Sequence, residues 1–386
     1  MLDCSYWSDK TPTNDGLPRV LTQALGENRS LRHVEKLRRQ AMENSSPEKP
    51  RQSAPADVAV LLLNLGTPAA PTPRAVRRFL AEFLSDVRVI DYPRWLWLPL
   101  LYGVILRTRP RRSARAYAKI WTPKGSPLLV ENRALAEKLA AACAGDGVRV
   151  VLAMRYGEPA TADVVASLLT AGVRRLLVLP LYPQYSAAST GAAMDAVFAA
   201  LQRQRWLPEL RSIGDYHAAP QYISALGDSV EKYWNANGRG ARLLLSFHGI
   251  PERYVAAGDP YREQCMATAR LLRERLNVDE HFLSVSFQSR VGRESWLAPY
   301  TDGVVARLAA DGIRHVQVLC PGFAVDCLET LEEIAIRARE QFLGAGGERL
   351  DYIPALNDSD AHVHLLRSLI QTQTQGWLDG NAHAGA

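Results

Sequence analysis

Cysteine is scarce in this chain of 386 residues, and its five copies show no metal-binding or redox spacing. They are Cys4, Cys143, Cys265, Cys320 and Cys327. None forms the Cys-x-x-Cys pair that a thioredoxin-like motif or a zinc ribbon would require. We therefore expect free thiols in a reducing compartment rather than disulfides.

The motifs of several large enzyme classes are also missing. The chain contains no Gly-x-Gly-x-x-Gly after a predicted strand, no Gly-x-x-x-x-Gly-Lys loop and no Gly-x-Ser-x-Gly elbow. These absences argue against dinucleotide oxidoreductases, nucleotide hydrolases and serine hydrolases. His-Glu-x-x-His is absent as well, which argues against a zinc protease.

The overall composition is that of a folded chain. Hydrophobic residues make up 47% and charged residues 22%, close to globular averages, so a sizeable core is expected. The formal net charge of +6 suits an acidic ligand, an anionic membrane surface or nucleic acid equally. Residues 1–56 are rich in Ser, Pro, Asn, Arg and Glu and lack the apolar core of a secretory signal. We interpret them as a mostly disordered N-terminal extension.

From Asp57 onward, apolar runs alternate with amphipathic stretches. The predicted strands are Val58 to Leu65, Val148 to Met154, Arg175 to Leu181, Leu210 to Ile213, Arg242 to Phe247, Phe282 to Phe287, His315 to Leu319 and Leu350 to Ile353. The predicted helices include Pro73 to Leu84, Asn132 to Ala142, Ala162 to Thr170, Gln221 to Trp234, Tyr261 to Leu276, Asp302 to Ala310 and Leu328 to Phe342. This alternation predicts parallel sheets that are covered on both faces.

Two segments recur in the same order along the chain. Leu61 to Pro68 is similar to Leu243 to Pro251, and Ala171 to Pro180 is similar to Asp311 to Pro321. We therefore predict an α/β fold of two similar doubly wound, Rossmann-like lobes. Ligands of open α/β sheets bind outside the carboxyl ends of the strands, so the site is expected in the cleft between the lobes. The lobes are predicted to cover residues 57–216 and 217–386.

The apolar run that forms the fifth predicted strand ends in His248 and Gly249. A histidine at this point lies where buried backbone gives way to a loop. Imidazole as a side-chain type has an unperturbed pKa of about 6.5 and so suits proton transfer near neutral pH. His248 is therefore a candidate base.

Acidic residues at helical spacing follow the seventh predicted strand. Asp326, Glu329 and Glu333 fall on one face of the predicted helix that begins there. Such a face is commonly solvated, yet carboxylates at a helix N-terminus beside a cleft can relay protons or bind a hard cation. Together with His248 they predict a site that handles protons and metal.

Six segments, taken in order, resemble the motifs of the ferrochelatases. They are Asn64 to Pro68, Tyr182 to Ser186, Ser246 to Tyr254, Phe287 to Gly292, Trp296 to Asp302 and Asp326 to Glu333. The resemblance runs from about Asp57 to about Val363. It implies a lyase, a metal chelatase that inserts ferrous iron into protoporphyrin IX and releases two protons, the terminal step of haem biosynthesis.

The resemblance also implies roles for particular residues. His248 and Glu329 are the candidates for catalysis and for contact with the metal, and Asp326 and Glu333 continue a path for protons or metal. The candidates for contact with the porphyrin are Leu65, Arg155, Tyr156, Ser186, Gln288, Trp296, Tyr300 and Phe323. Of these, Arg155 is expected to pair with a propionate, to gate the cleft or to form a structural ion pair. The apolar Leu65 favours protoporphyrin IX over coproporphyrin. The aromatic residues are either walls of the cleft or ordinary core.

An apolar stretch precedes a run of arginines. Trp95 to Leu106 is too short, and too interrupted by Pro99, to span a bilayer. Tryptophan beside basic side chains is typical of a membrane-interface segment, with a buried helix as the alternative. The resemblance implies an apolar lip at the cleft mouth, residues 92–112. We therefore expect a cytoplasmic protein in peripheral contact with the inner face of the membrane through residues 95–112, contact with the preceding oxidase of the pathway, and no nucleic-acid partner.

Two positions depart from the family pattern. Arg337 stands where some members carry a further acidic residue, and Cys327 stands where many carry His. No cysteine follows Cys327, so we expect no iron–sulfur cluster and no resident cofactor, ferrous iron being a substrate. Two other classes remain open. A porphyrin or haem carrier would not need a base facing an acidic helix, and a cobalt or nickel chelatase would act on a more carboxylated tetrapyrrole.

Overall fold

Eight strands form two four-stranded sheets within residues 58–292 and 294–378, the part of the chain that a computed structural model describes. They are β1 (Val58–Gly66), β2 (Val148–Tyr156), β3 (Arg175–Pro180), β4 (Glu209–Ser212), β5 (Arg242–His248), β6 (Leu283–Gln288), β7 (His315–Leu319) and β8 (Arg349–Ile353). All eight predicted strands are present, with their ends within two residues of those predicted. The predicted N-terminal extension lies outside the described residues.

The two sheets have the same strand order. The first runs β2-β1-β3-β4 and the second β6-β5-β7-β8, and every neighbouring pair is parallel. The repeated segments Leu61 to Pro68 and Leu243 to Pro251 begin in β1 and β5, which occupy equivalent central places. The structure confirms the prediction of two similar doubly wound α/β lobes.

The central strands are apolar because neither of their faces meets water. Residues Val58 to Leu63 and Leu243 to Phe247 are fully buried. In β1, alternate residues pack into two different hydrophobic clusters, one on each face of the sheet. Burying one such leucine or valine side chain contributes roughly 1.5–3 kcal/mol. Continuous apolar runs are therefore the sequence signature of strands covered on both sides.

The helices surround these sheets. They are α1 (Pro73–Leu84), α2 (Arg94–Leu100), α3 (Leu106–Ile120), α4 (Pro127–Ala142), α5 (Thr161–Thr170), α6 (Ala192–Leu201), α7 (Pro220–Asn237), α8 (Glu252–Ala256), α9 (Tyr261–Leu276), α10 (Thr301–Ala310), α11 (Leu328–Thr330), α12 (Arg339–Gly344) and α13 (Asp360–Gln373). Two helical segments change winding midway. Leu101–Ile105 joins α2 to α3 as a π-helix, and Leu331–Ala338 joins α11 to α12 in the same way.

The helix predicted from Asn132 begins five residues earlier, at Pro127. Proline suits the first helical position, because its fixed φ matches the helix and its missing N–H would be unpaired there anyway. Asn132 is instead fully buried inside α4. Its side chain donates to Leu128 O at 2.7 Å and accepts from Asn64 Nδ2 at 3.1 Å. Asn132, which was predicted to begin the helix, instead links α4 to Asn64 near the end of β1 by a hydrogen bond.

The chain after β8 packs against both lobes. Helix α13 lies against α4 of the first lobe and α7 of the second. Arg367 on α13 forms a two-pronged ion pair with Asp146 of the first lobe, with both N–O distances at 3.0 Å. The lobe boundary predicted at residue 216 falls in the loop between β4 and α7, and it stays a prediction.

A buried histidine on α13 makes stability depend on pH. His362 is almost fully buried, its Nδ1 lies 2.6 Å from Asn357 O, and burial lowers its pKa from 6.5 to about 4. Between these two values the unfolded chain binds more protons than the folded one, so the free energy of unfolding falls as pH drops from 6.5 to 4. At 1.36 kcal/mol per pKa unit, the loss amounts to about 3 kcal/mol.

We expect urea unfolding between pH 4 and 7 to show this loss in the wild type, and a His362→Asn variant to lose most of the pH slope. The exposed neighbour His364 supplies the control, because His364→Asn should leave the slope unchanged. Equal slopes in wild type and His362→Asn would show that other groups carry the acid sensitivity.

Candidate active site

His248 is the last residue of β5 and lies, partly buried, at the carboxyl edge of the second sheet. Its Nδ1 is 2.6 Å from Gly249 O. Because a carbonyl oxygen only accepts, Nδ1 carries the hydrogen of the neutral ring and Nε2 keeps its lone pair. Among the described residues, Nε2 has no hydrogen-bond partner. The ring is thus oriented by one nitrogen and leaves the other free to accept a proton.

Aromatic side chains border His248. A Cβ atom at Gly249 would come within 3.3 Å of a ring carbon of Trp296, so glycine after the histidine lets the indole lie against the backbone. The ring centroids of Phe323 and His248 are 6.4 Å apart. Tyr300 lies next to Trp296, its hydroxyl 3.4 Å from the Trp296 carbonyl oxygen. Three of the predicted aromatic candidates are therefore gathered around the end of β5.

Glu329 lies on the acidic helix, the name used here for residues 328–338. Burial raises its pKa, the Glu333 carboxylate raises it further, and His248 acts in the opposite direction. A raised pKa makes this carboxylate a better proton acceptor. Burial raises the pKa of Cys327 well above its usual value, and the charge of Glu329 raises it further, which keeps this thiol neutral beside the carboxylate.

Gln288 joins the base to the acidic helix. It ends β6 directly opposite His248 in the parallel register. Its Nε2 donates to Glu329 O at 2.7 Å, and its Oε1 accepts from Ser246 Oγ at 2.7 Å. The side chain is buried and its amide is engaged within the protein. Its predicted contact with the porphyrin stays a prediction, whereas its bond to the backbone of Glu329 is direct.

The other two carboxylates of the acidic stripe have different surroundings. Asp326 is buried and accepts from three side chains: Tyr352 at 2.5 Å, Asn357 at 2.7 Å and Thr330 at 3.0 Å. Glu333 accepts from the Ser289 hydroxyl and pairs with Arg337 at 2.9 Å. Asp326 is thereby fixed in a closed network, while Glu333 lies between Glu329 and the outer end of the stripe. Within the described residues, no group of three or more His, Cys, Asp or Glu side chains is arranged to hold a metal ion.

In the first lobe, Arg155 and Tyr156 end β2 and both bind Asp86. Arg155 Nη2 is 2.5 Å from Asp86 Oδ2, and the Tyr156 hydroxyl donates to the same oxygen at 2.8 Å. The guanidinium carbon also lies 4.5 Å from the centroid of the Tyr156 ring, which is almost fully buried. Of the three expectations for Arg155, the structure contains the ion pair. Its roles toward a propionate or as a gate stay predictions.

The remaining two candidates lie at different depths. Ser186 is buried, and its hydroxyl donates to Asp259 at 2.8 Å. Leu65 is half-buried and packs against the same hydrophobic cluster as Leu328 of the acidic helix. Leu65 therefore lies where the first lobe meets the acidic helix. The Ser186 side chain instead links its own segment to Asp259, which precedes α9.

The apolar lip has two contrasting faces. Its outer face exposes large side chains, namely Trp95, Leu96, Leu100, Tyr102 and Val104, with Trp95 76% exposed. No helix in the described part of the chain is long and apolar enough to cross a membrane. On the inner face, burial lowers the pKa of Arg109, and the charges of Glu333 and Glu329 oppose this shift. Helix α3 therefore runs beside the acidic helix.

Sequence reasoning missed two residues of this site. Asp86 holds Arg155 and Tyr156, from which it is separated by 69 and 70 residues, and no local pattern marks it. Tyr117 on α3 is buried near Glu329, and burial raises its pKa well above the usual value. It lies eight residues after Arg109, so the helical period of α3 is the signal that would have placed it on the inner face.

Comparisons with known proteins identify the family of the chain. The profile of the family described as Ferrochelatase matches residues 57–374. The ferrochelatase of Teredinibacter turnerae is 53% identical over 82% of this chain and 88% of its own length, and that of Nitrosococcus oceani is 51% identical over 87% and 92%. SirB from Bacillus subtilis, solved with Fe³⁺, has a TM-score of 0.48 at 13% identity, over 83% of this chain and 97% of its own. On the family match and these identities, the chain belongs to the ferrochelatase family.

Proposed function

We propose that this chain inserts ferrous iron into protoporphyrin IX in the cleft beside His248 and Glu329. The observation that carries the proposal is the pairing of an imidazole whose Nε2 is free with a partly buried carboxylate of raised pKa. Family membership supplies the reaction class. The residues supply the chemistry it needs.

Metallation replaces two pyrrole N–H protons by a dication, so a base must take protons at the face of the macrocycle. His248 Nε2 is suited to this, because the Nδ1 hydrogen is committed to Gly249 O and imidazole is the side-chain group most often used as a general base. We assign His248 the role of proton acceptor. General-base assistance of this kind contributes about 10²- to 10⁴-fold in rate.

Carboxylate oxygens suit the hydrated ferrous ion and the protons that leave. We assign Glu329 two roles, contact with the metal and acceptance of protons from His248. His248 is also a candidate metal ligand, because an imidazole nitrogen is able to ligate iron. Glu333 continues the path toward Ser289, to which it is hydrogen-bonded. Asp326 is held by its hydrogen-bond network with Thr330, Tyr352 and Asn357. Its support of the acidic helix is the role that its hydrogen bonds favour.

The porphyrin requires a flat apolar enclosure. Trp296, Tyr300 and Phe323 are proposed as its walls on the histidine side, with Leu65 opposite them. A closed aromatic cleft favours the bent macrocycle whose nitrogen lone pair points out of plane. We propose no resident cofactor and no iron–sulfur cluster. An iron–sulfur absorption band in the purified protein would overturn that part.

The substrate is tested by offering the protein several tetrapyrroles under anaerobic conditions. We expect fast formation of protohaem from protoporphyrin IX and ferrous iron, and slower metallation of coproporphyrin III because Leu65 is apolar. Preferential insertion of cobalt or nickel into a more carboxylated tetrapyrrole would favour the rival chelatase. Tight binding of the porphyrin without turnover would favour a carrier.

We further propose that the apolar lip rests on the inner face of the cytoplasmic membrane, where an apolar porphyrin is available. Exposed Trp95 and Leu96 beside the arginines of α3 support this contact, since apolar and cationic groups together bind anionic interfaces. The same surface is where we place contact with the preceding oxidase. Loss of co-purification with that oxidase in a lip variant is the check.

Membrane contact is measured by co-sedimentation with vesicles of mixed neutral and anionic phospholipid. The double variant Trp95→Ser, Leu96→Ser should bind at least tenfold more weakly, because each apolar side chain contributes roughly 1.5–3 kcal/mol when fully inserted and a tenfold loss requires only about 1.4 kcal/mol in total. Phe198→Ser provides the control, since Phe198 is an exposed aromatic residue on α6, outside residues 92–112. Equal loss in both variants, or none in either, would contradict the proposed contact.

A further inference from the structure

Arg337 contacts two adjacent carboxylates from one guanidinium group. Its Nε lies 2.7 Å from Glu332 Oε2, and its Nη2 lies 2.9 Å from Glu333 Oε1. The two glutamates are consecutive in sequence, so their side chains leave the helix in different directions. A single partner that reaches both restricts how the helix is wound.

The winding is what makes the double contact possible. In an α-helix with 3.6 residues per turn, residues five apart lie about 140° apart around the axis, so Arg337 would reach Glu333 but not Glu332. In a π-helix the backbone hydrogen bond joins residues five apart, which brings positions 332 and 337 about one turn from each other. Residues Leu331–Ala338 are π-helical, and Arg337 therefore holds a pair that this winding alone provides.

Glu332 and Glu333 each have a further partner outside the acidic helix, and the two partners lie on different elements. Glu332 is almost fully buried and also pairs with Lys119 of α3 at 3.1 Å. Glu333 accepts the hydroxyl hydrogen of Ser289, which follows β6. The guanidinium thus neutralises the repulsion between neighbouring carboxylates while one is held by the lip helix and the other by the strand next to His248.

We propose that Arg337 is a positioning residue that stabilises the π-helical winding of residues 331–338 and so places Glu333 in line with Glu329 and His248. Reversion to α-helix would move the residues after Leu331 by about one position along the helix and carry Glu333 away from Ser289. Arg337, which departs from the acidic family pattern, is in this chain the residue that stabilises the winding of the acidic helix. The proposal rests on the proposed function, because Glu333 matters only if the site metallates a porphyrin.

The test compares Arg337→Gln with Arg337→Lys and with the control Arg339→Gln. Arg337 is about half exposed, so its replacement removes little packing and the variants are expected to fold. Arg339, two residues further along, is exposed, and its replacement removes the same charge. The measurements are kcat, the KM for ferrous iron, the KM for protoporphyrin IX and a crystal structure of Arg337→Gln.

We expect Arg337→Gln to lower kcat by about 10- to 100-fold, as misplacement of a reacting group by about 1 Å does. The KM for protoporphyrin IX should stay within twofold, and residues 331–338 should show α-helical hydrogen bonds. Arg337→Lys should be intermediate, because an ammonium cannot bridge both carboxylates as a planar fork does. Arg339→Gln should match the wild type.

A π-helix that persists in Arg337→Gln, or an equal loss of kcat in Arg339→Gln, would overturn the proposal. An inactive wild type would instead refute the proposed function, and the crystal structure of Arg337→Gln would still decide whether Arg337 sets the winding. The two failures are thereby distinguishable.

Discussion

Replacing His248 by alanine should lower kcat for protohaem formation by about 10²- to 10⁴-fold, the usual loss when a positioned general base is removed. The methyl side chain cannot take the pyrrole protons, and no other described side chain has a free imidazole nitrogen beside Phe323 and Trp296. Affinity for protoporphyrin IX should change much less, because the aromatic walls remain. Steady-state kinetics and fluorescence titration of the porphyrin measure the two quantities separately.

The matched control for this substitution is His281→Ala. His281 is exposed in the loop before β6, so its loss should leave kcat and porphyrin affinity unchanged. If His248→Ala metallated protoporphyrin IX at the wild-type rate, the proton acceptor would have to be a different group. A proportional loss of porphyrin affinity would instead make His248 a binding residue.

Replacing Glu329 by glutamine should lower kcat by about 10²-fold or more and raise the KM for ferrous iron. The amide has nearly the same volume, but it neither accepts a proton at neutral pH nor offers a charged oxygen to a dication. Stability should be unchanged or slightly higher, because burial and Glu333 already disfavour the charged form of Glu329. Activity falling while stability holds is the signature of a functional carboxylate.

Glu340→Gln serves as the comparison for Glu329. Glu340 is exposed on α12, two helical turns beyond Glu333, and removing its charge alters the same helical segment without touching the cleft. Wild-type activity is expected. The assignment of Glu329 would be wrong if Glu329→Gln kept both kcat and the KM for iron, or if Glu340→Gln lost as much activity.

The sequence pattern predicted the scaffold well because burial on both faces leaves a direct trace. The runs Val58 to Leu63 and Leu243 to Phe247 are continuous and apolar, and both became central parallel strands. The repeated segments then predicted that one lobe would copy the other. The repeats align Gly66-Thr-Pro68 with Gly249-Ile-Pro251, so at the position of His248 the first lobe has the apolar Leu65. The base is thus present in one lobe only.

The contacts that shape the site could not be predicted from local sequence patterns. Arg155 binds Asp86 across 69 residues, and Glu332 binds Lys119 across 213, so only the folded chain reveals these partners. The helix from Leu328 was predicted, but its π-helical winding over Leu331–Ala338 was not, and neither were the ion pairs of its Glu332 with Arg337 and Lys119. Burial of Tyr156, Ser186 and Gln288 likewise follows from packing between elements. The residue type of these three positions indicated a polar or aromatic role, but how deeply each side chain is buried depends on the tertiary fold.

The central claim is that the cleft metallates protoporphyrin IX and that protons leave as iron enters. The most direct measurement mixes ferrous iron anaerobically with wild-type protein already loaded with protoporphyrin IX, in weak buffer, and follows haem absorbance and proton release together. The account predicts protohaem formation with two protons released for each haem. Bound protoporphyrin IX that stays metal-free while the protein remains folded would contradict it.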